Sequence, residues 1–410
     1  MSEAPPHRFL SPAILGIAAG MMLVPLNSTM LAVALPSVLE EFDVSAGTVA
    51  TLVTVYLGAM VLALPPAGAL GDRLGHRRTF LAGVAGFAAA SLLAAVAGAF
   101  WVLILARVLQ AASGSLISTS AAALVRAAAP ENQRGAAFGT FDMLVTVSAA
   151  VGPFVGGVIV GALDWRWMFL LAVPVGAFAA LSVLAWHPPG TDAAQPRPGR
   201  FVPINLRLFT RREFSAAVAG ILGATVILHG SFILVPLMVE QLMGATATTA
   251  GLVLLGISGV SAVAAPLGGR ASDRIGRRAP VMLGSLVTAV GLGLLAWYVV
   301  AVPLSLASAI PLALLLGVVG AGFGLAGSAR QAAALEAVPA HEVGVAAATY
   351  YTGRYLGGVI GASLAGAVLT DAVVPGSVSL GFVILAVVAA AVALVSAGLP
   401  GPREVPATPA

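Results

Sequence analysis

The chain has 410 residues, of which 59% are hydrophobic and only 9% charged, with a mean hydropathy of +1.02. A soluble domain carries about 25% charged residues, so this composition excludes a soluble enzyme or binding domain and requires an integral membrane protein. Cysteine is absent, which removes disulfides, thiolate catalysis and cysteine metal sites. His7, His76, His187, His229 and His341 are scattered without metal-ligand spacing, so neither a metal nor another cofactor is expected. The isoelectric point is 10.1, and all twenty basic residues are arginine. They are spread over short loops between apolar runs, as the positive-inside rule explains, so no nucleic-acid partner is expected.

A bilayer core takes about 20 mostly apolar residues per helix. On that measure twelve segments follow one another, near 11–36, 48–70, 79–98, 101–126, 135–162 and 167–187, then 214–238, 248–269, 279–301, 306–335, 344–371 and 377–398. The first carries no cleavable signal pattern and reads as a retained helix. Between segments 6 and 7 lies "HPPGTDAAQPRPGRFVPINLRLFTRRE", rich in Pro, Gly and Arg, which reads as a linker. The expected organisation is an all-α membrane fold with a six-helix half over 1–187, a cytoplasmic linker over 188–212, and a second half with a short tail over 213–410.

With both termini inside, Arg73, Arg77, Arg78, Arg126, Arg134, Arg197, Arg200, Arg207, Arg211 and Arg212 fall on the cytoplasmic side, as do Arg270, Arg274, Arg277 and Arg278. The opposite loops hold Glu40, Glu41, Asp43, Asp164, Glu240 and Asp371, with Arg166 the one basic exception. This asymmetry predicts cytoplasmic N- and C-termini. Abundant Ala and Gly without Lys suggest a GC-rich bacterial genome, and so the bacterial cytoplasmic (inner) membrane.

"GALGDRLGHRR" (68–78) follows segment 2 and "GGRASDRIGRR" (268–278) follows segment 8, with Asp72 and Asp273 201 positions apart. The same offset aligns "GPFVGGVI" (152–159) with "GRYLGGVI" (353–360). Two unrelated stretches sharing one offset argue for duplication of a six-helix unit. Physically, Asp72 stands where two helices meet, near the positive N-terminal end of the second. Gly75 permits a tight turn, and the arginines anchor to phosphates.

The loop Gly68-x-x-x-Asp72-Arg73-x-Gly75-x-Arg77-Arg78, with its weaker copy at Asp273, Arg274 and Gly276, resembles the signature loop of the major facilitator superfamily. The resemblance covers essentially the whole chain and implies the twelve-helix fold of that family. It also implies that these loops latch the two halves in the outward-open state; the alternative is a topology anchor and nothing more.

Segment 5 spaces Gly139, Ser148, Gly152-Pro153 and Gly156-Gly157 in a way that resembles the family's antiporter motif, found in exporters, with Ser148 in place of one glycine. Pro153 removes a backbone hydrogen bond, and the glycines let a neighbouring helix approach closely. The matching stretch in segment 11 keeps the glycines but has Arg354 where Pro153 would align. "LNSTMLAVALPSV" (26–38) resembles the helix-1 motif of the family's drug:proton antiporters through Thr29, Ala34, Leu35 and Pro36, but Asn27 replaces the usual acid. "ARVLQAASGS" in segment 4 resembles the family's arginine motif, with Arg107 and Gln110 in place. In relatives this arginine lies near the helix-1 acid and is tied to proton relay, so here Arg107 needs another partner. Arg126 is a further departure, standing where relatives often carry an acid.

Asp142 is the only carboxylate well inside a span, and counting from Arg134 it stands about 12 Å into the membrane. A charge in hydrocarbon costs at least ~3 kcal/mol, and burial against a nearby cation brings a carboxyl into the range where protons exchange. Asp142 is therefore the expected proton-titrating group, with Arg107, Arg330 or Arg354 completing the coupling network; the alternative is a static ion pair that fixes helix packing. Asn27, Gln110, Phe141, His229, Tyr350 and Tyr351 are the candidate residues of a substrate cavity, set against ordinary packing roles for each.

The resemblance implies a monomeric secondary transporter whose partners are a small-molecule substrate, protons and the lipid bilayer. Its leading substrate class is drugs or other amphipathic compounds exported by proton antiport. A second reading is export of a specific anionic metabolite, sugar or lipid through the arginines at 107, 330 and 354. A non-transporting sensor or scaffold would have no use for both loops and the segment-5 element. No Ser/His dyad, paired aspartates or HExxH marks an intramembrane enzyme.

Overall fold

The computed structural model describes residues 12–128, 134–186, 206–338, 343–369 and 373–401, and these are helical throughout with no strand among them. The first half runs α1 (Pro12–Phe42), α2 (Ala46–Leu74), α3 (His76–Ala95), α4 (Phe100–Ala128), α5 (Arg134–Ala162), α6 (Arg166–Leu170) and α7 (Ala172–Ala185). The second runs α8 (Arg212–Leu237), α9 (Ala247–Ile275), α10 (Arg278–Ala301), α11 (Ala309–Glu336), α12 (Val343–Val368) and α13 (Pro375–Val395). Ten stretches among the described residues are long and apolar enough to cross a membrane. The remaining long helices, α5 and α12, have 29 and 26 residues.

Most predicted segments appear within a few residues, and the differences have physical causes. α1 continues through Glu40 and Glu41 to Phe42, past the predicted end at 36, because helical hydrogen bonding does not stop where hydropathy does. Segment 6 is two helices interrupted at Leu171. Pro174, in the first turn of α7, has no N–H for the carbonyl of Leu170. Segment 7 ends in a wide π turn, Met238–Leu242, directly after Pro236. Of the expected linker, 188–205 lies outside the described residues. Its last part forms a short helical turn, Leu206–Thr210, whose Leu208 is buried in one hydrophobic cluster with Phe214 and Val218.

The chain divides into two compact units, Met1–Phe42 with Val55–Phe201, and Asp43–Thr54 with Val202–Ala410. The second unit thus takes in the first turns of α2, where Gly47 lies against the carbonyl of Gly366. In the first unit α1 packs along α5 and α7, and α3 along α4; in the second α8 packs along α12, and α9 and α10 along α11.

The two units repeat one close-packing device. A Cβ on Gly152 would collide with the Thr29 hydroxyl, and one on Gly156 would stand 2.9 Å from the carbonyl oxygen of Met30. Across the repeat, a Cβ on Gly357 would collide with the Leu222 carbonyl and the Thr225 hydroxyl. Thr29 donates to the Pro25 carbonyl at 2.9 Å, and Thr225 to the Ile221 carbonyl at 2.9 Å, each tucking its hydroxyl back into its own helix. Small residues therefore let α5 reach the backbone of α1, and α12 that of α8, where dispersion replaces the missing hydrophobic drive.

Arg166, the exception to the loop charge pattern, is held within the first unit. Its Nη1 donates to Glu41 Oε2 at 2.9 Å, Trp165 Nε1 donates to the same oxygen at 2.7 Å, and the guanidinium stacks on the Trp165 ring.

Replacing Gly357 by Ala is expected to destabilise the protein by about 1–3 kcal/mol, because the backbone it meets cannot move aside. Gly293→Ala, where a Cβ meets nothing within 4 Å, is the control and is expected to be neutral or mildly stabilising. Thermal unfolding of both variants in detergent makes the comparison.

Candidate functional site

Within the first unit the apolar packing of α1 to α4 is interrupted by a buried polar cluster. Arg107 on α4 is fully buried, as are Gln110 one turn later and Ser91 on α3. The Arg107 Nη1 donates to Asn27 Oδ1 of α1 at 2.5 Å and to Gln110 Oε1 at 2.9 Å. Gln110 passes the network on by donating from Nε2 to the Ser91 hydroxyl at 2.8 Å. The Arg107 guanidinium lies 4.0 Å from the centroid of the Tyr56 ring, on α2, a cation–π geometry. Tyr56 Oη in turn lies 3.5 Å from the carbonyl oxygen of Val24.

Two amide oxygens and an aromatic face thus contact the cation, and these three groups carry no formal charge. Asn27 offers an acceptor oxygen without a charge. The segment motifs singled out Asn27, Arg107 and Gln110. They missed Tyr56 and Ser91, whose relevance depends on which faces of α2 and α3 turn inward. Gln110 and Arg107 have no exposed surface in this structure.

A second polar cluster lies within the second unit. Arg330 on α11 is 2% exposed and donates from Nη1 to the carbonyl of Gly220, on α8, at 3.0 Å. The hydroxyl of Tyr350, on α12, is within hydrogen-bonding reach of the same guanidinium. His229 Nδ1 on α8 lies 3.1 Å from the Thr225 carbonyl oxygen. Arg354 is exposed and stands close enough to His229, Arg330, Tyr350 and Tyr355 to act on each electrostatically. Tyr350 packs edge-to-face on Tyr351 with ring centroids 6.0 Å apart, and Gln331 Nε2 donates to the Tyr351 hydroxyl at 3.3 Å. Tyr350 is buried in the hydrophobic core of this unit, so of the two predicted tyrosines only the exposed Tyr351 offers a surface. Tyr355 was not foreseen.

The two loops between paired helices are also built alike. Gly75 and Gly276 have φ of +90° and +84°, a conformation that a side chain disfavours. Asp72 Oδ1 lies 3.4 Å from His76 Nε2, at the first residue of α3, and Thr79 donates to the Gly75 carbonyl at 3.1 Å. Arg77 donates from Nη2 to the Leu184 carbonyl at 3.0 Å and from Nε to the Val183 carbonyl at 3.3 Å, at the negative end of α7. In the second loop Arg277 makes a paired contact with Glu336, at 2.7 Å and 3.2 Å, and donates to the Ser272 hydroxyl at 2.7 Å. Arg73, Arg78 and Arg274 are exposed, and Gly68 is half-buried on α2.

On α5, Ser148, Gly152, Pro153, Gly156 and Gly157 are all buried, and the helix runs unbroken through Pro153. The surroundings of Gly139, Phe141, Asp142 and Asp273 lie outside the described residues. Among the described residues no group of three or more His, Asp or Glu could hold a metal ion.

A sequence profile of the Major Facilitator Superfamily matches residues 17–362 and again 230–410. The chain belongs to the Major Facilitator Superfamily. It is 30% identical over 337 residues to the tetracenomycin C resistance and export protein of Streptomyces glaucescens, an alignment covering 68% of this chain and 62% of that relative. It is 26% identical to the multidrug resistance protein B homolog of Mycobacterium tuberculosis, over 82% of this chain and 72% of the relative. Among solved structures it resembles a bacterial homolog of the human lysosomal transporter Spinster, in an inward-facing and occupied conformation. The TM-score is 0.74, with 16% identity over 96% of this chain and 98% of that one, a likeness of fold alone. This member of the superfamily is a multi-pass membrane transporter, not an enzyme.

Asn27→Ala removes an acceptor from the buried Arg107 guanidinium, and hydrogen bonds to charged groups contribute about 1.5–3 kcal/mol. A loss of that order is expected in thermal unfolding, whereas Asn27→Gln, which keeps a carbonyl oxygen, is expected to lose less.

Proposed function

We propose that this transporter exports a small amphipathic compound by proton antiport and alternating access. The observation that carries the reading is α5: Gly152, Pro153 and Gly156 keep the spacing of the exporter element and pack it against Thr29 and Met30 of α1. The name of the tetracenomycin relative supports export as the direction and drugs as the class. We read the chain as twelve spanning helices in two six-helix halves, monomeric, with cytoplasmic termini, in the bacterial cytoplasmic membrane.

Proton coupling is assigned to Asp142, the one carboxylate well inside a span. With Asn27 on α1, the helix-1 position has no proton to give, which supports the assignment. A carboxyl that titrates across the cycle must sit elsewhere.

A second reading is export of an anionic metabolite. The observation favouring it is the second cluster, where Arg330 and Arg354 stand close together.

Ethidium efflux from cells expressing the protein is the direct test. The wild type is expected to export it in a protonophore-sensitive manner, and Asp142→Asn to retain the dye like cells without the protein. Full export by Asp142→Asn would remove the proton role.

A further inference from the structure

We propose that α8, α11 and α12 build an anion-binding subsite, and that it takes the carboxylate of an aromatic acid. The inference deepens the second reading above, export of an anionic compound, by naming an aromatic acid, and it rests on that reading only for calling the ligand cargo.

Three observations carry it. Arg330 and Arg354 lie within electrostatic range of one another, and His229 joins them from α8. Two guanidinium groups repel, and the buried Arg330 is shielded from water that would screen the repulsion. Among the described residues no ion pair neutralises either one: Glu336, at the end of α11, is engaged by Arg277. Second, Arg330 is 2% exposed and its Nε has no hydrogen-bond partner among the described residues, although the same side chain borders a small cavity with Ser285 and Thr288. A buried donor left open is costly, and an anion near the guanidinium offsets both the open donor and the repulsion.

Third, the cluster has a buried layer and an accessible one. Arg330 and Tyr350 are buried, whereas Arg354 and Tyr351 on α12 are exposed. Arg354 is thus the group that meets a ligand carboxylate, while Arg330 acts from behind through its field. Planar guanidinium N–H groups match a carboxylate in pairs. Tyr351, one helical turn before Arg354, offers an aromatic face to the ligand's ring. The Pro153-to-Arg354 exchange between the repeats then has a chemical meaning: one half keeps a proline at this register, and the other places a cation there.

The test uses the full chain in lipid nanodiscs and three probes of one shape: 2-naphthoate, the neutral 2-naphthamide and the cationic 2-naphthylmethylammonium. The wild type is expected to bind the acid about tenfold or more tighter than the amide, with a preference that weakens as salt rises. Arg354→Gln is expected to abolish the preference, and Arg354→Lys, which keeps the charge, to retain part of it. Equal binding of acid and amide by the wild type, or an undiminished preference in Arg354→Gln, would overturn the proposal. If Arg354→Gln does not fold, the wild-type comparison and its salt dependence decide alone. Proton-driven export of ethidium without a binding preference for the acid would leave the transport reading standing and remove this one. A preference without any gradient-driven transport would do the reverse.

Discussion

A guanidinium sealed among membrane helices is the constraint on which the first unit depends. Arg107 has no exposed surface, and a charge at such depth costs at least ~3 kcal/mol unless its donors are met. α1 meets it with Asn27, α4 with Gln110, α2 with the face of Tyr56, and α3 supports Gln110 through Ser91. Four helices are therefore held in one rotational setting by a single cation. Asn27, Gln110 and the Tyr56 ring, which contact the guanidinium, carry no formal charge.

The two units use the same packing between helices and different chemistry at the matching place. Glycines bring α5 onto α1 and α12 onto α8 so closely that a Cβ would strike backbone or a threonine hydroxyl. Gly75 and Gly276 turn the paired loops with nearly the same φ. At the register between the packing glycines, however, one unit has Pro153 and the other Arg354. The two units thus share where helices touch and differ in the polar groups placed there. The loops diverged in the same manner, since Arg77 binds helix-end carbonyls where Arg277 binds the carboxylate of Glu336.

The spans were legible because lipid demands apolar runs of a set length, and the repeat was legible because glycine and aspartate spacing survived it. What hydropathy could not see was hydrogen bonding along the backbone: the break at Leu171, the wide turn after Pro236, and the extension of α1 to Phe42. Asn27, Arg107 and Gln110 stood out in the sequence as polar groups inside apolar segments. Tyr56, Ser91 and Tyr355 did not, since a tyrosine or serine in a span is ordinary until the facing helix is known. Tyr350, read as a cavity residue, is packed in the hydrophobic core of the second unit.

In the proposed mechanism Arg107 is held by its neighbours on α1 to α4 and the titrating carboxyl sits on α5. Proton movement into proteoliposomes during substrate export, read by an entrapped pH-sensitive dye, tests this with Asn27→Asp placed on the Asp142→Asn background. Asp142→Asn is expected to move no protons, and the added acid beside Arg107 to restore part of the flux. Undiminished proton movement in Asp142→Asn alone would contradict it, because the carboxyl on α5 would then have no part in coupling.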